Sequence, residues 1–299
     1  MHLSMSLGIT HELDTSINYI WASNSCPNRI LEGHYVMARE IVKNLKFKKH
    51  TGKFFDPELF AQLLDESYRN TKRADGEMTK KTFSPSSLGY GHGKCPRYWY
   101  MAFSGAVFID DNDAVAVANM AQGTQAHERL QKLISTMPEW RAEEEEIVNE
   151  YPPIRGFIDL IMEYDGETVI GEIKTAKQEV WDTRQSEMKS SANHMLQLLT
   201  YMKLKNAKEG FFLYENKNTQ EILIIPISMN DKNKKIIEDA FLWMQEVYDN
   251  FKDGDLPMRP AGSTKSKMPC TYCPVKKECY SKETPLGTVQ IELFEVPNI

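Results

Sequence analysis

The clearest pattern of apolar and polar positions lies between residues 156 and 174, in the segment GFIDLIMEYDGETVIGEIK. Two apolar runs flank the pair Asp165-Gly166, and both positions of such a pair tolerate the positive φ of a two-residue hairpin turn. A turn this tight places Asp159 opposite Glu172 on the neighbouring strand. The pattern therefore predicts a β-hairpin with two carboxylates on one face.

These two carboxylates need a partner. Like charges at directly opposed positions destabilise a sheet, and Asp159 and Glu172 interrupt runs that are otherwise apolar. Buried charges are tolerated when they are paired or bind a metal ion, and a divalent cation would fit between them. Side chains alternate along a strand, so Lys174 joins Glu172 on that face. The alternative is an exposed hairpin with ordinary surface charges.

Other segments show the periodicity of helices and strands. The predicted helices cover 115–135, 192–204 and 231–251, and another begins at Asp56-Pro57-Glu58, with proline at the first helical position. Further strands are predicted at GFFLYENK and QEILIIPIS. A strand after the acidic run 143–146 would complete a three-stranded meander with the hairpin, and one of these glutamates could reach a metal. The polar stretch 177–190 is predicted to be a loop over the hairpin.

Two predicted helices carry polar residues on one face. His127 lies on the helix over 115–135, and either points to the hairpin or is a polar residue near a helix boundary. On the helix over 192–204, His194, Gln197 and Tyr201 stack at spacings of three and four residues. This stripe is either part of a site or an ordinary outer polar face.

Composition narrows the class of protein. With 299 residues, of which 41% are hydrophobic, the chain can bury one large core, and an α/β protein is expected. The net charge of −6 does not indicate nucleic-acid binding, so any such surface must be local. Basic clusters within residues 1–82 are either solvated helix faces or a phosphate-binding rim. No apolar run approaches the ~18 residues of a membrane span, so we expect a cytoplasmic protein without membrane contact.

The cysteines point to a second site. Five cysteines in a chain expected inside the cell argue for metal or redox use and against a disulfide framework. Cys270, Cys273 and Cys279 have the spacing of metal ligands, and Cys95 is a candidate fourth ligand that would fasten the C-terminal tail to the region before the hairpin. From ligand type alone, zinc and an iron–sulfur cluster are equally compatible. Cys26 is left as a free thiol.

Together these motifs resemble the RecB-like branch of the PD-(D/E)xK nuclease superfamily, especially its iron–sulfur members, such as AddB nuclease domains and CRISPR adaptation nucleases. The resemblance covers roughly residues 84–280. It rests on the order and spacing of His127, of GFID with Asp159, of GEIK with Glu172 and Lys174, of QxxxY with Gln197 and Tyr201, and of Cys95 followed by Cys270, Cys273 and Cys279.

The resemblance implies an α/β fold with a restriction-endonuclease-like core, in which helices flank a mixed central sheet. An iron–sulfur cluster would join an N-proximal segment to the C-terminal tail. We expect a helical extension over residues 1–82, a nuclease core with the cluster over 83–285, and a tail over 286–299.

The resemblance also implies roles for individual residues. Asp159, Glu172 and the backbone carbonyl of Ile173 would bind Mg²⁺ or Mn²⁺, and His127 would complete the coordination or hold a second ion. Lys174 would orient the attacking water, and Gln197 and Tyr201 would support Lys174 or touch the DNA backbone. The four cysteines would hold a 4Fe–4S cluster, with zinc as the alternative.

The expected function is a Mg²⁺- or Mn²⁺-dependent DNA exonuclease that acts on single-stranded or end-containing DNA in recombination, repair or viral DNA processing, in the last case inside a host cell. DNA is the expected partner, and protein partners or a homo-oligomer remain open. The alternatives are a non-catalytic DNA-binding scaffold and a structure-specific endonuclease. The intact set of Asp159, Glu172 and Lys174 favours an enzyme over a scaffold.

Overall fold

A computed structural model describes residues 55–71, 76–77 and 79–295. Within these ranges the helices and strands are α1 (Pro57–Asn70), β1 (Gly76–Glu77), α2 (Pro85–Leu88), α3 (Pro96–Phe103), β2 (Val107–Phe108), α4 (Ala114–Ile134), β3 (Trp140–Asn149), β4 (Ile154–Tyr164), β5 (Glu167–Ala176), α5 (Gln178–Glu187), α6 (Ala192–Leu204), β6 (Glu209–Asn216), β7 (Ile222–Ser228), α7 (Asp231–Asp253) and α8 (Lys276–Cys279).

A mixed five-stranded sheet forms the centre of the described structure, in the order β3-β4-β5-β6-β7. Strands β3, β4 and β5 form an antiparallel meander, as predicted. Strand β6 pairs in parallel with β5 and antiparallel with β7. A parallel pair needs a crossover connection, and α5 and α6 provide it. The predicted α/β class with a mixed central sheet is confirmed.

The hairpin between β4 and β5 has the predicted turn and register. Asp165 and Gly166 both have positive φ, at 52° and 79°. Tyr164 pairs with Glu167, and the ladder continues to Leu160 and Gly171. Because the turn contains only two residues, this register follows directly from the turn.

Helices cover both faces of the sheet. On one face, Leu130 and Ile134 of α4 pack on Leu160, Ile173 and Leu213. On the other face, α6 packs on a larger core that also receives α3 and α7. The middle parts of the central strands are therefore buried on both sides, so a charged side chain placed there is removed from bulk water.

The helix over 192–204 has its predicted bounds. Two other local predictions need correction. The stretch over 177–190 is not a loop, because α5 forms there and buries Trp181 in the core. A single aromatic anchor leaves the rest of this helix polar, so its sequence shows little periodicity. The acidic run 143–146 lies inside β3 and does not precede it.

Several predictions about the N-terminal region lie outside the described residues. These include Cys26, the basic clusters before residue 54 and most of the extension over 1–82. The helix predicted from Asp56 does form as α1, and the Asp56 side chain accepts hydrogen bonds from the backbone N–H groups of Glu58 and Leu59. None of the described helices combines the length and apolar character that crossing a membrane requires.

Candidate active site

The carboxylates of Asp159 and Glu172 lie where the β4–β5 ladder stops. The last ladder pair is Leu160 and Gly171, and one step beyond it the backbone N–H of Ile173 donates a hydrogen bond to Oδ2 of Asp159, at 2.8 Å. The Asp159 side chain thus satisfies a backbone donor that the ladder leaves free. Asp159 is 7% exposed and Glu172 is 0% exposed, so the alternative of an exposed, charged hairpin is wrong.

Described protein groups donate a hydrogen bond to only one of the two carboxylate oxygens of Glu172. Its Oε1 forms an ion pair and a hydrogen bond with Nζ of Lys174. Its Oε2 is buried and has no hydrogen-bond partner among the described residues. An unpaired buried carboxylate oxygen is costly, and a cation would satisfy it.

Burial is also the main influence on the protonation of these two acids. It raises the pKa of Glu172 to about 8; the positive charge of Lys174 acts in the opposite direction, and the neighbouring Asp159 adds to the increase. Burial likewise raises the pKa of Asp159, although Lys174 and His127 oppose it. The protein alone therefore does not balance the negative charge that this pair would carry.

A third acidic residue, Glu144, completes a group of possible metal ligands. One ligand atom each from His127, Glu144 and Asp159 lies within 4.8 Å of the others. His127 comes from α4, and its Nδ1 is 3.6 Å from Oδ2 of Asp159. Carboxylate oxygens and an imidazole nitrogen suit Mg²⁺ or Mn²⁺, so these residues fit a divalent ion.

The selection of Glu144 from the acidic run depends on strand register. Glu143 pairs with Leu160 and Glu145 with Ile158, so Glu144 faces Asp159. Glu144 has a positive φ of 50°. Gln131 of α4 donates hydrogen bonds to Oε1 of Glu144, at 2.8 Å, and to the backbone oxygen of Asp159, at 3.1 Å. Sequence reasoning found the run but had no signal that selected this member.

The polar stripe of α6 faces the sheet and not solvent. Gln197 and Tyr201 are 6% and 2% exposed, which excludes an outer polar face. A Cβ atom at Gly156 would lie 2.8 Å from the Tyr201 hydroxyl, so the glycine of GFID leaves room for this ring. Burial raises the pKa of Tyr201, and the charge of Glu172 adds to the effect. Gln197 and Tyr201 therefore lie beside the two carboxylates.

His194 belongs to the same surroundings. Its Nδ1 is 2.8 Å from the hydroxyl of Tyr214 on β6. Burial lowers the pKa of His194 to about 3, and the positive charges of Lys174 and Arg184 contribute to the decrease. The imidazole is therefore neutral at physiological pH and contributes no positive charge to the site.

The four cysteines named by the sequence surround one cavity. Cys95 immediately precedes α3, Cys270 and Cys273 lie in the turns after α7, and Cys279 ends α8. All four are free thiols, and three of them are buried. The structure thus brings Cys95 together with three residues of the C-terminal region, as predicted.

The residue type of this cavity allows two kinds of metal centre. A single zinc ion with Zn–S bonds of about 2.3 Å would hold four thiolates about 3.8 Å apart. In an iron–sulfur cubane each thiolate binds a different iron, so the sulfurs stand farther apart. Four cysteines that line one cavity supply the ligands for either centre.

The surroundings of the cavity keep two of its thiols, those of Cys95 and Cys273, protonated when no metal is bound. Burial raises the pKa of Cys95 and that of Cys273 to about 12 in each case. Metal ligation requires thiolates, so loading must displace these protons. Loading of this centre is therefore expected to depend on pH.

A comparison with protein-family models gives one match. Residues 151–280 match the PD-(D/E)XK nuclease superfamily. This region contains Asp159, Glu172, Lys174 and the QxxxY motif of α6, and extends to the third C-terminal cysteine, whereas His127, Glu144 and Cys95 precede it. The match supports a PD-(D/E)XK nuclease superfamily domain in this part of the chain. No curated protein matches the sequence.

Several solved structures are distantly similar. SSO0001 is 16% identical, with a TM-score of 0.41, over 75% of this chain and 98% of that chain. The alkaline exonuclease LHK-Exo from Laribacter hongkongensis is 13% identical, with a TM-score of 0.44, over 57% of this chain and 90% of its own. Its complex with dAMP is 14% identical, with a TM-score of 0.45, over 58% and 89%. Likenesses at this level assign no activity to the chain.

Proposed function

We propose that this protein is a Mg²⁺- or Mn²⁺-dependent deoxyribonuclease that acts as an exonuclease on single-stranded or end-containing DNA. The observation that carries the proposal is Oε2 of Glu172, a buried oxygen with no hydrogen-bond partner among the described residues. It lies in the region that matches the nuclease superfamily, on the residue that pairs with Lys174 and neighbours Asp159. The DNA substrate is carried over from the superfamily, and the comparison of linear with circular DNA separates cleavage at ends from internal cleavage.

The metal ligands in this proposal are Asp159 and Glu172, with His127 and Glu144 completing the set and the backbone carbonyl of Ile173 as a further donor. When bound, a divalent ion stabilises charge on the scissile phosphate and lowers the pKa of a bound water. The His127 nitrogen shifts the preference toward Mn²⁺. Glu144 enters the set from its distance to His127 and Asp159.

Lys174 is assigned the role of orienting the attacking water and helping to remove its proton. Its ammonium is held by Glu172 and is itself largely buried, with 19% of the side chain exposed. The ammonium does not itself accept the proton; its fixed positive charge would hold the attacking water and stabilise the hydroxide that forms when the proton leaves to solvent. Gln197 and Tyr201 pack beside this group and limit the access of bulk water.

The cysteine centre is assigned a 4Fe–4S cluster with a structural role. The resemblance to iron–sulfur nucleases supports a cluster over zinc, and the cavity is separate from the carboxylate site in its lining residues. A cluster there would join the segment around Cys95 to the C-terminal region that contains Cys270, Cys273 and Cys279.

One set of assays tests the nuclease proposal. Purified protein is incubated with end-labelled linear DNA and with circular DNA, each single- and double-stranded, in Mg²⁺ or Mn²⁺. We expect cleavage of linear DNA and not of circular DNA, and its loss in Asp159→Asn and Lys174→Met. Glu143→Gln is the matched control, because Glu143 belongs to the same acidic run but faces away from Asp159.

Two results would contradict this function. The absence of cleavage under every condition would leave a DNA-binding scaffold as the better description. Cleavage by Asp159→Asn at the wild-type rate would show that the catalytic centre lies elsewhere. For the cluster, protein purified without oxygen should be brown and contain iron, and colourless protein that holds one zinc per chain would replace the cluster with a zinc site.

A further inference from the structure

Arg97 is an arginine buried beside the cysteine cavity. It lies in the first turn of α3, is 1% exposed, and lines the cavity together with Cys95 and Cys279. Its Nη1 donates to the backbone oxygens of Pro257, at 2.6 Å, and Leu286, at 2.9 Å. Arginine side chains stay charged in proteins, so a full positive charge is buried here.

The guanidinium of Arg97 also contacts a sulfur. Nε of Arg97 donates to Sγ of Cys279 at 3.3 Å, and Nη2 donates to the backbone oxygen of Pro285 at 2.5 Å. The carbonyl acceptors are neutral. Among the partners of Arg97 in the described part of the chain, Cys279 is therefore the one that can become negatively charged.

Acidic side chains do not balance this charge. Among the described residues, no carboxylate forms an ion pair with Arg97, and none with the two other cations that line the cavity, Arg259 and Lys276. Arg259 donates to the backbone oxygen of Cys279, and Lys276 to that of Thr271. Buried charges are costly unless paired, so this cationic wall is complementary to an anion in the cavity.

We propose that Arg97 is a positioning residue that couples loading of the cysteine centre to docking of the C-terminal segment. The inference rests on the proposed cofactor of the cysteine centre. Four thiolates with iron carry net negative charge, which balances the guanidinium. The same guanidinium then holds the carbonyls of Pro257, Pro285 and Leu286. Without metal, its charge has no counterpart, and the segment around residues 285–286 is held less firmly.

The contact of Arg97 with a ligand sulfur also has a redox consequence. Reduction adds negative charge to the centre, and a fixed positive charge that donates to the sulfur stabilises the reduced form. Arg97 is therefore expected to raise the reduction potential. A residue that served only to hold the chain would not have this effect.

The geometry explains why lysine cannot replace Arg97 fully. A guanidinium presents five donors in a planar fork, and four contacts to three chain segments use it here. Lysine retains the positive charge but not the fork. Arg97→Lys therefore separates the effect of charge from the effect of hydrogen bonding to the C-terminal segment, whereas Arg97→Gln removes the charge.

The experiment compares four proteins purified without oxygen: wild type, Arg97→Lys, Arg97→Gln and the control Arg141→Gln. Arg141 is exposed and pairs with Glu163 on the sheet, outside the cavity lining. The measurements are the rate of iron release to a chelator, the reduction potential, and tryptic cleavage at the exposed Lys282, located by mass spectrometry. Nuclease activity is not measured, so failure of the proposed catalytic site leaves this test intact.

For Arg97→Gln we expect iron release on the order of tenfold faster, a more negative potential, and rapid cleavage at Lys282 even when iron is bound. Arg97→Lys should keep a potential near that of wild type but lose protection of Lys282. Wild-type protein stripped of iron should also be cleaved rapidly at Lys282, and this measurement requires no variant to fold. The Arg141→Gln control should match wild type.

Three results would overturn the proposal. The first is Arg97→Gln protein with wild-type iron release and potential, even if Lys282 becomes accessible, because that combination shows a purely structural residue. The second is wild-type protein in which Lys282 stays protected after iron removal. The third is wild-type protein that binds no metal at the cysteines, which would remove the cluster assignment together with this inference. If the wild type holds zinc, unchanged zinc release in Arg97→Gln would overturn it equally.

Discussion

The carboxylate site and the cysteine site have opposite imbalances of charge. At the carboxylate site, Asp159 and Glu172 are buried with one oxygen unpaired, so the protein leaves room for a cation. At the cysteine site, Arg97 is buried without an acidic partner among the described residues, so the protein is complementary to an anion. The comparison teaches that a buried charged group that described protein groups satisfy only in part indicates the sign of the ligand that is to bind.

The two sites also differ in what holds them. The carboxylates project from the adjacent strands β4 and β5, and α4 and α6 pack on the two faces of this sheet. The scaffold at this site therefore does not depend on a metal. The cysteine site joins α3 to a C-terminal region built mostly of turns. Loss of metal should therefore affect activity at the first site and stability at the second.

The largest expected effect separates activity from stability at the carboxylate site. Glu172→Gln should lower the cleavage rate by about 10³-fold or more, because a neutral amide neither balances a cation nor holds Lys174. Single-turnover cleavage of labelled DNA measures this loss. A rate within tenfold of wild type would contradict the assignment.

The stability of the metal-free Glu172→Gln protein should not fall together with its activity. Burial raises the pKa of Glu172 from 4.5 in the unfolded chain to about 8 in the folded one, so its contribution to stability is lost as pH rises between these values. Without metal, the variant should be at least as stable as wild type at pH near 8. Urea unfolding in a chelator measures this; a clear loss of stability would show that the carboxylate is part of the scaffold.

At the cysteine site, substitution of a ligand is expected to lower stability, in contrast to the carboxylate site, where it lowers activity. Cys273→Ser should remove the colour and lower the free energy of unfolding by roughly 3 kcal/mol or more, because metal binding at such sites is coupled to folding. Urea unfolding and iron analysis measure the two changes. Cys26→Ser serves as the control, since Cys26 is predicted to lie outside the ligand set. Equal stability of the Cys273→Ser and wild-type proteins would show that the centre is not structural.

A smaller effect is expected for Glu144. Glu144→Gln should raise the Mn²⁺ concentration needed for half-maximal cleavage about tenfold, because one of the candidate ligand groups loses its charge while Asp159 and Glu172 remain. Titration of activity with Mn²⁺ measures the shift. Glu143→Gln should leave the titration unchanged, and an equal shift in both variants would indicate a general effect of surface charge.

The smallest effect concerns His194 and pH. Its pKa is 6.5 in the unfolded chain and about 3 in the folded one, mainly because of burial, so the folded state binds the proton less well. The contribution of His194 to stability should be constant above pH 6.5 and fall below it by up to about 1.4 kcal/mol per pH unit. His194→Gln should flatten this decline in urea unfolding at several pH values. An equally steep decline in the variant would assign it to other groups.

The carboxylate pair could be predicted because its geometry is set by neighbours in the chain. The Asp165-Gly166 turn determines the register as far as Leu160 and Gly171, and Asp159 and Glu172 are the next residues of the two strands. The bounds of α6 and its Gln197 and Tyr201 were predicted for the same reason, since helical spacing is local. The helix α5 was missed because Trp181 alone anchors it.

Other parts of both sites required the folded chain. The choice of Glu144 depends on the register between β3 and β4, which includes an irregularity between Trp140 and Ala142. The cysteine pattern indicated a metal centre, but the shared cavity of the four cysteines and the burial of Arg97 arise from contacts between distant segments. The sequence alone determined the fold class, the hairpin and the residue types of both sites, because turn chemistry and periodicity act between near neighbours. The tertiary structure decided which charged groups are buried and only partly satisfied by the described residues, because burial depends on residues far apart in the chain.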